Sequence, residues 1–507
     1  MNLIADWTWL IVLLVLYGVG DLLMVLAIAP KPKAAEGDVG IANLKLVVRR
    51  FGPIGFLLFC GGVAGWGGAS ATGWGDHGAV GVILTVISVP LLLGTAFSPP
   101  HFLQSTWQWG LRFAILVGFA IQSLHPCLPL LFTILVVGFY RLQGTPIHIS
   151  ITDKALVLVA HFAGSLSAIL MSLYPNFTEP QFIGVLLAVT GACYAKPAWS
   201  KILHGWFPTN RLSNLTVAAE AQNGWMKRWP HRKALRARID KINGIILIAT
   251  LMVELSVLSI ALHPAVMWCF AIAICGFHVG VFALSGILFW KWMYFVLALA
   301  YFATKWGSFG LTEMGYCALG ALGIGLMTRM VQGLTWFDSP VSHRFEFVGV
   351  DERGEETRFA PEDFGPFDFP VAQARFNYLI NRPTMVGCFG AVFSKDHYRA
   401  LKDCRSLEDY DEVMRAKGEN QFDPKRADEL DRVLVKFARS NYPIKRPLWN
   451  RYLPIPAHIW SMIPSFRREF AGESIQEIRV YYAEFLRQNQ LPVLMRRELL
   501  REVKAGN

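Results

Sequence analysis

The residues of this 507-residue chain that could do chemistry are ionisable side chains set inside long apolar runs. A charge at the centre of a bilayer costs on the order of 2.5–3.5 kcal/mol on insertion scales, so each such residue is a functional candidate. Glu254 lies in "IILIATLMVELSVLSIAL" and His278 in "AIAICGFHVGVFALSGILFWKW". The two stretches meet at His263-Pro264, which predicts an antiparallel helical hairpin. Glu254 falls 10 residues before Pro264 and His278 falls 14 after it. At 1.5 Å per residue their depths differ by roughly 6 Å, close enough for a proton-relaying or purely structural pair. Lys196 sits in "GVLLAVTGACYAKPAWSKILHGW", followed by Trp199 and Trp206. A lysine at a helix end either snorkels its ammonium to the headgroups or, desolvated, serves as a base.

His148 and His161 flank the start of another apolar run, "TPIHISITDKALVLVAHFAG". Such histidines either bond a neighbouring polar group or take part in proton chemistry. Their spacing does not point to haem ligation. Asp21, Arg112 and Glu313 also lie in or near apolar runs, where structural pairing is the favoured reading. The chain contains no phosphate-binding loop, no HExxH, no GxSxG and no dinucleotide fingerprint after a strand. Its 8 cysteines form no CxxC pair, so neither zinc nor a disulfide framework is expected.

Positioning these groups requires membrane helices. The chain is 53% hydrophobic and 17% charged, against about 25% charged in a soluble globular chain. Stretches of some 20 apolar residues predict spans over 7–29, 52–71, 78–97, 154–174, 181–195, 242–262, 264–289, 291–305 and 311–331. "HPCLP", from His125 to Pro129, divides 109–140 into two short helices. The expected fold is an all-α polytopic membrane protein of about eleven transmembrane helices with a small, mostly helical soluble C-terminal domain containing a β-hairpin. The N-terminal run reads as a retained helix rather than a cleaved signal.

Three basic loops lie on one side of an eleven-span chain: Lys31 to Arg50, Arg141 to Lys154, and "GWMKRWPHRKALRARIDK" from Gly224 to Lys241. Excess lysine and arginine marks the cytoplasmic face, so the N-terminus is expected outside and the tail inside the inner (plasma) membrane of a bacterium. The formal charge of +11 fits anionic membrane lipids as partners, and no nucleic acid is implied. The third loop is expected to lie on the membrane as a basic amphipathic helix with Trp225 and Trp229 on one face. In the tail, "HRFEFVGVDERGEETRFAP" predicts two strands around Asp351–Gly354. Asp423-Pro424 predicts a helix start, and "SIQE" at Ser474 a capping box ahead of an amphipathic helix through Gln488.

Three stretches in this order resemble the horizontally transferred transmembrane (HTTM) domain, the membrane core of vitamin K-dependent γ-carboxylases and their bacterial relatives. They are "IHISITDKALVLVAHFAGSLSAILMSLYP", "VTGACYAKPAWSKILHGW" and "VELSVLSIAL" with "GFHVGVFALSGILFWKW", together spanning about Trp109 to Trp306. The resemblance implies an N-terminal helical region over 1–108, a carboxylase-like core over 109–334 and a cytoplasmic domain over 335–507. It implies that Lys196 is the base that deprotonates a quinol; His278, Glu254 and His148 are further catalytic candidates as ionisable residues in or beside apolar spans. Trp199 and Trp206 would border the cofactor, an isoprenoid quinol. The tail lacks the carboxylases' large β-rich portion, so glutamate carboxylation itself is not implied. The leading expectation is a quinol- or lipid-binding membrane protein carrying out redox-linked modification. The alternatives are a non-catalytic scaffold whose tail docks a protein partner, and a proton-coupled transporter using Glu254 and His278.

Overall fold

The computed structural model describes residues 73–96, 106–142, 155–174, 177–223, 225–227, 229–256, 263–305, 336–359, 374–384, 390–392, 394–439 and 475–505, with short pieces within 11–23, 55–65, 444–445 and 467–468. The spans expected over 7–29, 52–71 and 311–331 fall wholly or mainly outside the described residues, as do Asp21, His148 and Glu313.

The described N-terminal two thirds are helical. Helix α1 spans Gly78–Thr95, α2 Thr106–Ile121 and α3 Leu128–Leu142. The break between α2 and α3 falls at the proline-bounded His125–Pro129 segment, as the sequence predicts. Helix α4 spans Ala155–Leu173 and α5 Glu179–Leu203. Short α6, Trp206–Thr209, then leads into α7, Leu212–Asn223, and α8, Arg232–Lys241. Helices α9 (Asn243–Ser256), α10 (Pro264–Ser285) and α11 (Trp290–Lys305) follow.

Local sequence explains the boundaries. Thr178 precedes α5, and its backbone N–H donates to Gln181 Oε1 at 3.0 Å, with Pro180 in the first turn. At α10, His263 Nδ1 accepts from the Ala265 N–H at 3.1 Å, Pro264 starts the helix, and Gly286 ends it at φ 75°. A left-handed residue there is cheap only for glycine.

Four helices among the described residues are long and apolar enough to cross a membrane: Gly75–Thr95, Leu156–Leu173, Glu179–Leu203 and Ala265–Ser285. These correspond to the expected spans over 78–97, 154–174, 181–195 and 264–289, and the expected count of eleven is not reached among the described residues. Helices α2, α3 and α11 have 16, 15 and 16 residues. At 1.5 Å per residue each is about 24 Å long or less, short of a hydrocarbon core of about 30 Å. An apolar run fixes helix but not length, because loops and short helices buried in a bundle are equally apolar.

The main core lies where α1, α3, α4, α5 and α11 meet, around Leu84, Phe132, Phe162, Phe182 and Phe295. Gly164 sets the approach of α4: a Cβ there would meet the Leu84 side chain at 2.8 Å. A buried polar chain crosses this core. Gln122 donates to Ser88 at 2.9 Å, and His161 bonds Gln122 Oε1 at 3.1 Å and Thr133 Oγ1 at 2.9 Å. His161 is thus held by two neutral partners, the structural reading of that residue. Arg112 donates to the Ala96 carbonyl at 3.2 Å and lies over the rings of Trp109 and Phe139.

The tail is more β-rich than expected. Strand β1 (Phe337–Asp338) pairs with β4 (Ala391–Val392). A second, four-stranded antiparallel sheet contains β2 (Val341–Asp351), β3 (Glu356–Phe359), β5 (Ile475–Gln488) and β6 (Leu491–Lys504), in the order β3-β2-β5-β6. The β2–β3 hairpin turns at Asp351–Gly354, as read from sequence. The helix expected over 474–488 is instead strand β5. Its Ile478, Val480 and Tyr482 alternate onto the core face, a period of two that overrides the capping-box signature at Ser474. Helices α12 (Lys395–Leu401), α13 (Leu407–Lys417) and α14 (Pro424–Arg439) complete the tail. Asp423 caps α14 by accepting from the Arg426 N–H at 3.3 Å.

The basic loop also differs from expectation. Only Arg232–Lys241 is helical; Trp225 is buried while Trp229 is exposed. Arg236 is buried rather than facing lipid headgroups. It pairs with Glu220 at 2.7 Å, donates to Thr216 Oγ1 at 2.9 Å, and donates to the Gln490 carbonyl at 2.7 Å. Gln490 belongs to the two-residue β5–β6 turn, where Asn489 and Gln490 have φ of 47° and 66°. Just before the turn, at the end of β5, Arg487 bonds Asp240 and, at 2.5 Å, Asn214 Oδ1. The tail sheet is therefore clamped onto α7 and α8.

Gly164→Val is expected to destabilise the detergent-solubilised protein by about 1–3 kcal/mol through overpacking. Gly138, where a Cβ meets no atom within 4 Å, serves as the control. Gly138→Ala should be neutral or stabilising by up to about 1 kcal/mol. Thermal unfolding of the two variants checks the contrast.

Candidate functional site

Helix α5 does not stop at Pro197. It continues to Leu203, which places Pro197 inside it and gives Lys196 and Lys201 different surroundings. Five residues are about one and a half turns of helix, so the two lysines point to different sides. Lys201 turns inward. Its ammonium meets Glu254 Oε1 at 2.5 Å and lies 5.2 Å from the centre of the Trp206 ring. Both ionic side chains are under 10% exposed.

The pair borders a cavity of about 320 Å³ between α5, α9, α10, α11 and β1. One end is polar. Lys201, Glu254, Trp206, Trp336 and Asp338 surround it. Asp338 belongs to the tail. Its Oδ2 accepts from Asn210 at 2.7 Å and its Oδ1 from Trp336 Nε1 at 3.0 Å. Asn214 donates to its carbonyl at 2.6 Å. Burial pushes the Asp338 carboxyl up to about 6, partly opposed by its hydrogen bonds from Asn210 and Trp336 and by the Lys201 charge. The walls beyond are apolar and aromatic, including Ile246, Val253, Val281, Leu284 and Phe289.

His278 lines the same cavity. It does not pair with Glu254, the hairpin partner suggested by depth. Its Nε2 bonds the Tyr194 hydroxyl at 2.9 Å instead. Glu254 takes Lys201 because α5 packs beside α9, and an ammonium is the stronger partner for a desolvated carboxylate. Among the buried side-chain atoms left without a protein hydrogen bond are Glu254 Oε2, His278 Nδ1 and Trp292 Nε1. All three residues line the cavity. Buried polar atoms normally find partners, so their convergence on one space marks it as a place for a ligand with hydrogen-bonding groups.

Of the residues singled out by sequence, the structure brings Glu254, His278 and Trp206 together. Lys196 does not line the cavity, and Trp199 is 59% exposed on the outside of α5. Lys201, Asp338, Tyr194 and Trp336 were missed. Lys201 lay within the quoted stretch, but the apolar run was bounded at 195 and the resemblance pointed to Lys196. Its signal was a second lysine five residues before Trp206. Asp338 and Trp336 carried no local signal, because tail contacts alone bring them there. Among the described residues no group of three or more His, Cys, Asp or Glu side chains is placed to hold a metal ion. Comparison of the chain with protein-family models, curated proteins and solved structures finds no match.

Removing one member of the ion pair strands the other. Lys201→Met is expected to cost about 3–5 kcal/mol, and the double replacement Lys201→Met with Glu254→Met to recover most of it. Chemical unfolding in a double-mutant cycle measures this. Asp338 sets a pH dependence. Its folded value lies above that of an unfolded carboxyl, so its stabilising contribution is complete below about pH 4 and is lost as pH rises through about 6. Asp338→Asn should remove that slope. Its deficit in melting temperature relative to wild type should therefore shrink between pH 5 and pH 7.5.

Proposed function

We propose that this chain is a multi-pass protein of a bacterial inner membrane that binds an isoprenoid quinol in the cavity and carries out a redox-linked modification. The observation that carries this reading is that Glu254, His278 and Trp292, each with an unpartnered polar atom, line one cavity whose remaining walls are mostly apolar and aromatic. Such a site suits a flat ring with polar substituents joined to an apolar chain. The resemblance to the carboxylase core adds the quinol, with Lys201 taking the place expected for Lys196.

The residues present fit that ligand. Glu254 Oε2 is free to accept from a head-group hydroxyl, and Lys201 holds the carboxylate in position. His278 Nδ1 and Trp292 Nε1 are free to meet the opposite side of the head group. When bound, a quinol would supply two electrons to an oxidising co-substrate and release its two hydroxyl protons as it becomes the quinone. The chain's part is to orient the ring, exclude water through the aromatic walls, and take the hydroxyl proton at Glu254 Oε2.

Membrane insertion is part of the proposal. Ile245, Met252 and Ile272 on α9 and α10 are 70%, 62% and 65% exposed. Apolar side chains exposed along helices this apolar suit a lipid surround. The basic helix α8 is clamped to the tail, so the two share one side, and that side is cytoplasmic if positive charge stays inside.

A tailed quinol titrated onto the full-length protein in nanodiscs should bind saturably. Lys201→Met and Glu254→Gln should weaken it at least ~10-fold, about 1.4 kcal/mol, and Lys196→Ala should leave it unchanged. Absence of saturable binding by wild type, or equal binding by Glu254→Gln, would sink the reading. For orientation, a cysteine introduced at exposed Ala416 should react with an impermeant maleimide only after cells are permeabilised. Labelling in intact cells would reverse the topology.

A further inference from the structure

The cavity has a side opening that bears on what kind of molecule it takes. Two of its lining residues, Ala249 on α9 and Gly280 on α10, are also solvent-exposed. They mark a mouth between the two helices, and both are small. A Cβ added at Gly280 would meet no atom within 4 Å, so the space beside it is open. The mouth is flanked by outward-facing Ile248, Met252 and Val279. Its rim is thus apolar, while the cavity within also carries Lys201, Glu254 and Asp338.

At about 320 Å³ the cavity is near the lower limit of ligand pockets, about 300–1,000 Å³. It has room for a ring head group and the start of a chain, not for a long isoprenoid. Resting on the ligand reading above, we infer that the Ala249–Gly280 mouth is a lateral portal. The ligand enters head first from the lipid phase, and its single apolar tail stays threaded between α9 and α10. The two small residues then determine specificity: they admit a molecule with one slender tail and reject a head group carrying two acyl chains side by side.

Gly280→Trp fills the mouth without a clash at its Cβ, and Ala249→Trp is an independent plug. Two readouts separate the portal from the ligand reading. Cys193 lines the cavity and is buried, so an apolar maleimide added to proteoliposomes can reach it only by entering. Peptide mapping should show slow labelling of Cys193 in wild type and at least ~10-fold slower labelling in both plugged variants. Equilibrium binding is then measured with a tailed quinol and with its tail-less head group. Plugging should weaken the tailed probe at least ~10-fold and leave the tail-less one within about twofold, limits that correspond to a threaded tail. Unchanged Cys193 labelling in the plugged variants, or no labelling in wild type, overturns the portal. Equal loss of both probes overturns the threaded tail. If wild type binds neither quinol while Cys193 labelling still depends on residue 280, the portal stands and the quinol reading falls.

Discussion

A buried lysine and a buried glutamate must be satisfied by each other, and much of this structure follows from that constraint. Desolvating two charges costs several kcal/mol per ion, recovered only when the geometry is close and the remaining valences are met. Lys201 and Glu254 meet this with a direct contact and the face of Trp206 beneath the ammonium. For the contact to exist, α5 must run past Pro197 and α9 must pack beside it. The pair therefore fixes which ends of these helices meet, and the cavity is the space their large side chains leave open. One carboxylate oxygen stays unpaired, so the constraint is met for stability but not exhausted.

A second layer of charge holds the tail. Arg236 and Asp240 on α8 are engaged by the β5–β6 turn, and Asn214 on α7 bonds both Arg487 and Asp338. A short polar path thus runs from the end of β5 through α7 to the Asp338 backbone beside the cavity. The tail is a wall of the site as well as a neighbour of the helices. The helical region and the sheet share one polar junction, which couples how firmly the tail sits to where Asp338 points.

What was legible in the sequence followed from local cost. Glu254 and His278 were visible because a charged or imidazole side chain in an apolar run demands an explanation, and the cavity contains both. The β2–β3 hairpin and the α14 start were visible because turn and cap chemistry acts over four residues. Lys196 was chosen over Lys201 because the apolar run ends there and the resemblance points to it, whereas the helix continues past Pro197 to Leu203, since packed helices can meet the freed carbonyl in other ways. Strand β5 was misread because a capping box is a four-residue signal and strand pairing with β2 and β6 is a tertiary one. Asp338 was invisible for the same reason: its partners Asn210 and Asn214 are 128 and 124 residues away.

The clamp also has a consequence in time. Arg236 waits for the Gln490 carbonyl, 254 residues later in the chain. At synthesis rates of about 5–20 residues per second, roughly 13–50 s pass between the two. During that interval the helices have been made, but α7 and α8 lack the turn that locks them, and Arg236 has Glu220 as its charged partner. Asp338 is translated in the middle of this wait. The polar end of the cavity therefore stays unclamped until the β5–β6 turn is made, and a nascent chain stalled before residue 487 would carry an unfinished pocket.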